Sequence, residues 1–100
     1  MIVVRDIFRL KFGQAKEATA MWKQAIGLLK QSGFGKNPRL LTDCAGPSYY
    51  TIILENTFES LGEWEKAHEG GKANAQFREI YQKIIPLTDE GRREILTVVA

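Results

Sequence analysis

His68 is the only histidine in the sequence. Imidazole is the one side chain that titrates near neutral pH without special tuning, so His68 is the leading candidate to take up or deliver a proton. Trp64 stands four residues earlier, in Glu63-Trp64-Glu65-Lys66-Ala67-His68. On a helix that spacing puts indole and imidazole one turn apart on a single face. Asp6 is the one charged residue at the alternate apolar positions of Ile2-Val3-Val4-Arg5-Asp6-Ile7-Phe8, where burial demands a partner. A carboxylate that holds an imidazole in one tautomer makes it a general base, so His68 and Asp6 form the candidate catalytic pair. Trp64, Tyr50 and Phe77 are the aromatic side chains expected to wall a ligand pocket beside them. The plainer alternative leaves His68 at a fraying helix end and Asp6 near a sheet edge, both in water.

Other chemistry is excluded or weak. Cys44 is the sole cysteine, which rules out an internal disulfide and a thiolate-rich zinc site. His68-Glu69 has no second histidine four residues on, so a zincin-type site is excluded and no metal is expected. Ser32-Gly33-Phe34-Gly35-Lys36 lacks the third glycine of a dinucleotide fingerprint and the spacing of a P-loop, and no cofactor is expected. Gly70-Gly71-Lys72 before a helix could hold an anion, but two glycines there read more simply as a hinge.

The elements that position these residues follow from periodicity. Residues 2 to 12 alternate, with Ile2, Val4, Phe8, Leu10 and Phe12 on one parity and Val3, Arg5, Ile7, Arg9 and Lys11 on the other, as a strand with one apolar face requires. After Gly13, Ala18, Met21, Trp22, Ala25, Ile26 and Leu29 trace a helical stripe that should end near Ser32-Gly33, with Trp22 filling the core. Residues 33 to 38 read as a loop and Arg39 to Ala45 as a strand. Gly46-Pro47-Ser48 reads as a turn into a strand from Tyr49 to Phe58, with Tyr50, Ile52, Leu54 and Phe58 on the helix side. Ser60 and Glu63 make a capping box for a short helix from Leu61 to about Glu69. Gly70-Gly71 interrupts it, and Ala73, Phe77, Ile80, Tyr81 and Ile84 form a further helical stripe that Pro86 ends. Asp89-Glu90-Gly91 reads as a turn before a last strand from Arg93 to Val99.

The order β-α-β-β-α-α-β predicts an α+β, ferredoxin-like split β-α-β fold with an antiparallel sheet in the order 4-1-3-2 and the helices on one face. Residues 1–100 are expected to form one domain. The other sheet face, with Val3, Ile7 and Ile53 among Arg5, Arg9 and Glu55, would be an exposed apolar patch unless a second copy covers it.

Composition sets the remaining bounds. The net charge of +2 comes from 14 basic and 12 acidic residues that are interspersed, so no basic stripe exists to grip nucleic acid. Neither a signal peptide nor a membrane span is present in the sequence, and a cytoplasmic protein is the expectation.

Lys11-Phe12-Gly13-Gln14 opening the first helix, the hairpin ending in Leu54-Glu55, and Phe58-Glu59-Ser60-Leu61-Gly62-Glu63-Trp64 opening the second resemble the dimeric α/β-barrel superfamily, within it the NIPSNAP-like proteins. The resemblance implies a homodimeric barrel of two face-to-face sheets, with a small apolar or aromatic ligand between sheet and helices. Trp64 and His68 also resemble the place of a histidine in the antibiotic-biosynthesis-monooxygenase branch. That branch implies a cofactor-independent monooxygenase-like enzyme with His68 as base. A purely structural dimerisation module is the third reading.

Overall fold

The computed structural model describes residues 1–46 and 49–100, and of Ala73 the backbone alone. Eight elements follow one another: β1 (Ile2–Leu10), α1 (Ala15–Gln31), β2 (Lys36–Thr42), β3 (Thr51–Phe58), α2 (Leu61–Ala73), α3 (Ala75–Ile84), a 3-10 turn (Ile85–Leu87) and β4 (Thr88–Thr97). The sheet is antiparallel throughout, in the order β2-β3-β1-β4. This is the α+β, ferredoxin-like arrangement that the periodicity predicts. Among the described residues no helix is long and apolar enough to cross a membrane.

Within β1 and β3 the two faces divide as the strand parities require, but β1 ends at Leu10, and Phe12, expected on the inward parity, lies beyond it and is 87% exposed. Val4, Leu10, Ile52, Leu54 and Phe58 turn inward and are buried with Ala18, Trp22, Ala25, Ile26 and Leu29 of α1 and Ile84 of α3. Trp22, 1% exposed, is the hub. Its ring stacks on Phe8 at 5.1 Å and meets Tyr81 edge-on at 6.2 Å.

The outer face is built in rows across the four strands. In one row Arg39, Glu55, Arg5 and Glu94 lie side by side, with charge alternating from strand to strand. Arg39 Nη2 approaches Glu55 at 2.7 Å, Arg5 Nε approaches Glu55 at 3.4 Å, and Arg5 Nη1 approaches Glu94 at 3.9 Å. In the neighbouring row Leu41, Ile53 and Ile7 lie together and end on Arg92. Charge and apolar surface are thus segregated into bands.

Several boundaries differ from the sequence reading, each for a local reason. α1 ends as predicted: Gly33 takes φ 72° and its N–H donates to Lys30 O at 3.2 Å, while Phe34 N–H donates to Leu29 O at 3.0 Å. These are the two bonds of a Schellman cap. β2 starts at Lys36, earlier than Arg39, and stops at Thr42, short of Ala45. Its register shifts between Lys36 and Arg39, and an edge-strand irregularity of that kind accommodates Pro38. The predicted turn at Gly46-Pro47-Ser48 includes Pro47 and Ser48, which lie outside the described residues.

The helix break is not at Gly70-Gly71. Both glycines lie within α2, so the hinge and the anion-binding reading of Gly70-Gly71-Lys72 are corrected together. The chain breaks at Asn74, whose backbone N–H donates to Gly71 O at 3.1 Å and whose Oδ1 accepts from Phe77 N at 3.0 Å. One residue closes α2 and caps α3, and that cap outweighs the poor helix propensity of two glycines. Asp89-Glu90-Gly91 is not a turn either: it lies inside β4, with Gly91 opposite Phe8. A Cβ at Gly91 would stand 2.8 Å from Phe8 Cδ1, so glycine is there to admit the ring that stacks on Trp22.

Candidate functional site

Between the inner sheet face and the three helices lies a partly enclosed cavity of 330 Å³. It receives side chains from seven segments of the chain: Asp6 from β1, Trp22 from α1, Phe34 from the following loop, Leu54 from β3, Trp64 and His68 from α2, Phe77 and Tyr81 from α3, and Arg93 from β4. The volume lies within the range of small-molecule sites, at its lower end.

Trp64 and His68 are one turn apart on α2, because the helix continues four residues beyond the predicted end at Glu69 and keeps His68 in its ordered interior. Their rings stack at 5.1 Å with an interplanar angle of 25°. Ser60 starts the helix: its Oγ accepts from Glu63 N at 3.2 Å, while Glu63 Oε2 reaches back to Glu59 N at 3.1 Å, one residue before the usual capping-box partner. Opposite, Phe77 and Tyr81 stack at 5.9 Å on α3, so two aromatic pairs face the cavity.

Of the residues singled out from the sequence, His68, Asp6, Trp64 and Phe77 come together here. Tyr50 does not. It packs at the opposite end of the sheet, with φ 56° and its ring 5.3 Å from Phe12, beside a separate open groove. Tyr50 lies four residues from Leu54, the partner of Asp6. At roughly 3.4 Å per residue that is about 14 Å along the chain.

Asp6 is held by Arg93. Its Oδ1 accepts from Arg93 Nε at 2.5 Å, the two residues being directly opposed in the β1–β4 register. The Arg93 guanidinium also lies 5.1 Å from the centre of the Trp64 ring, a cation–π contact. A chain of contacts therefore runs Asp6, Arg93, Trp64, His68; the Asp6 carboxylate accepts from Arg93 and acts on the imidazole through space, by its charge. Sequence reasoning missed Arg93. The signal was available, since an acid on an inward parity calls for a cation on an adjacent strand, but the register of β4 was needed to choose it.

Burial lowers the His68 pKa below its ordinary value of 6.5, and the positive charges of Arg93 and Lys72 lower it further, against the opposing pull of Asp6 and Glu69. The imidazole is therefore neutral at pH 7 and able to accept a proton. A folded-state pKa below the unfolded one means that the unfolded chain binds the proton more readily. The stability associated with neutral His68 is present above pH 6.5 and is lost as pH falls below it. Because His68 is the sole histidine, its imidazole NMR signals are unambiguous. Arg93→Gln is expected to raise the midpoint of that titration and Asp6→Asn to lower it.

Among the described residues no cluster of three or more metal-ligating side chains occurs. No protein-family model and no curated protein matches the sequence. Solved structures do match the fold. A NIPSNAP family protein of unknown function from Agrobacterium tumefaciens superposes with a TM-score of 0.84 at 19% identity, over 96% of this chain and 86% of that one. An uncharacterized NIPSNAP domain protein from Burkholderia xenovorans gives 0.82 at 17% identity, over 100% and 96%. A putative antibiotic biosynthesis monooxygenase from Nitrosomonas europaea gives 0.80 at 10% identity, over the whole of both chains. At such identities the likeness establishes that the chain has the ferredoxin-like fold these NIPSNAP and monooxygenase structures share.

Proposed function

We propose that the protein binds a small planar aromatic molecule between sheet and helices, and that it does so as a homodimer. The observation that carries the first part is the 330 Å³ cavity walled by the stacked pairs Trp64–His68 and Phe77–Tyr81. Flat rings offer area for offset stacking, and an aromatic ligand gains both burial and ring–ring contact there. A filled core at this place would have favoured a purely structural module.

A titration with 2-naphthol, followed by calorimetry, tests the reading. Wild type is expected to bind one molecule per chain, and Trp64→Ala is expected to lose about tenfold or more in affinity, the scale of one good aromatic contact plus its buried area. Absence of binding to wild type, or equal affinity in the variant, would remove the site.

The homodimer rests on the outer sheet face. Its charged row pairs Arg39, Glu55, Arg5 and Glu94 within one chain, so a second copy can cover it without stranding an unpaired ion. The adjacent row Leu41, Ile53, Ile7 supplies apolar area to bury.

A second reading makes His68 a base that deprotonates the bound molecule. The neutral imidazole favours it. In that reading Asp6 acts through space by its charge, and Trp64 fixes the ring by stacking.

A further inference from the structure

The cavity's charges say more about its ligand than its shape does, given the aromatic site just proposed. Three permanent cations line it, Arg93 from β4, Lys72 from α2 and Arg78 from α3, against one carboxylate, Asp6. Arg93 spends its Nε on Asp6 at 2.5 Å, and its terminal nitrogens have no ion-pair partner among the described residues. Lys72 meets Glu69 at 3.4 Å in an exposed pair, a contact that water weakens. Arg78 has no carboxylate in ion-pair range among the described residues. With Arg93–Asp6 and Lys72–Glu69 counted as pairs, Arg78 is left in excess, and all three cations are solvent-exposed at the mouth of the aromatic cavity, where an anionic group could reach them without giving up all its water.

We propose that the ligand is a planar aromatic acid, whose ring occupies the aromatic walls and whose anionic group pairs with the free fork of Arg93, with Lys72 and Arg78 adding attraction at the rim. A guanidinium presents five donors, and one bonded Nε leaves four N–H groups for a second acceptor. The ligand's charge also answers the field at His68. Arg93 and Lys72 oppose its protonation, Asp6 and Glu69 favour it, and an anion beside Arg93 would shift the balance toward the imidazolium.

The test compares 2-naphthoate with 2-naphthamide, which have the same ring system and differ in charge. The experiment uses the full chain, calorimetry for affinity and NMR for the His68 titration. Naphthoate is expected to bind at least about tenfold more tightly, the scale of one charge-assisted hydrogen bond, and to give a higher His68 midpoint than naphthamide, which adds burial without a compensating charge. The ratio of naphthoate to naphthamide affinity should shrink in Arg93→Gln and in the double variant Lys72→Gln/Arg78→Gln. Lys72 and Arg78 are both exposed, so the double variant keeps the test open should loss of the Asp6 partner disturb folding of the first. Equal or tighter binding of naphthamide would overturn the selection for an acid while leaving the aromatic site standing. Binding of neither, where 2-naphthol also fails, would overturn the site and this inference together.

Discussion

Gly35→Ala is expected to destabilise the protein by about 3 kcal/mol, with the urea midpoint moving down at unchanged slope. Gly35 follows the Schellman cap of α1 and adopts φ 70°, a conformation that costs an L-residue about 1 kcal/mol or more. The added methyl would also stand 2.5 Å from Cγ and Nδ2 of Asn56. Asn56 cannot step aside cheaply. It is 3% exposed, its Nδ2 donates to Phe34 O at 2.7 Å and its Oδ1 accepts from Thr57 N at 2.9 Å. Displacing it strands buried polar groups at about 1–3 kcal/mol each. Gly33→Ala is the control, because φ 72° there is equally strained but a Cβ meets nothing within 4 Å. It should cost only the backbone term, about 1 kcal/mol. Equal losses in the two variants would show that Asn56 is not the constraint.

Ile7→Asp is expected to convert a dimer into a monomer, so that light scattering at micromolar concentration falls from twice the 11.3 kDa chain mass to one. Ile7 pairs with Ile53 at the centre of the outer face, and Ile53 pairs with Leu41. A carboxylate in this apolar row would be desolvated on association, beside the self-neutralised row Arg39, Glu55, Arg5, Glu94. Since Ile7 points away from the helix-side core, the monomer should remain folded. A stable interface of this kind should bury at least about 1,000 Å² in total. A wild-type mass of one chain would contradict the proposed dimer.

What the sequence disclosed, and what it withheld, divides along a physical line. Period-2 alternation in β1 and β3 named the inward residues Val4, Leu10, Ile52, Leu54 and Phe58, because burial on one face leaves a signal in residue type. The same alternation passed over Asn56, which is buried for its hydrogen bonds to Phe34 and Thr57 and carries no apolar signature. His68 and Asp6 were legible as candidates because each was the odd residue on its face, and Trp64 and Phe77 as aromatic residues on inward helical stripes. Their meeting in one cavity depends on helix packing, which no local pattern encodes. Arg93 and Tyr50 show the two ways this fails. Arg93 was hidden because Asp89-Glu90-Gly91 has the composition of a turn, while Gly91 in fact clears space for Phe8 within β4. Tyr50 was assigned to the helix side, where it does pack on the core, but its distance along the chain separates it from His68.

The inner sheet face, α2 and α3 leave room between them for an aromatic ring. A crystal structure of the protein grown with 2-naphthol tests this most directly. Density for the naphthalene ring is expected in the cavity, in contact with Trp64 and His68 and within reach of Phe77. A cavity closed by rearranged side chains, or a ring bound only elsewhere on the surface, would contradict it.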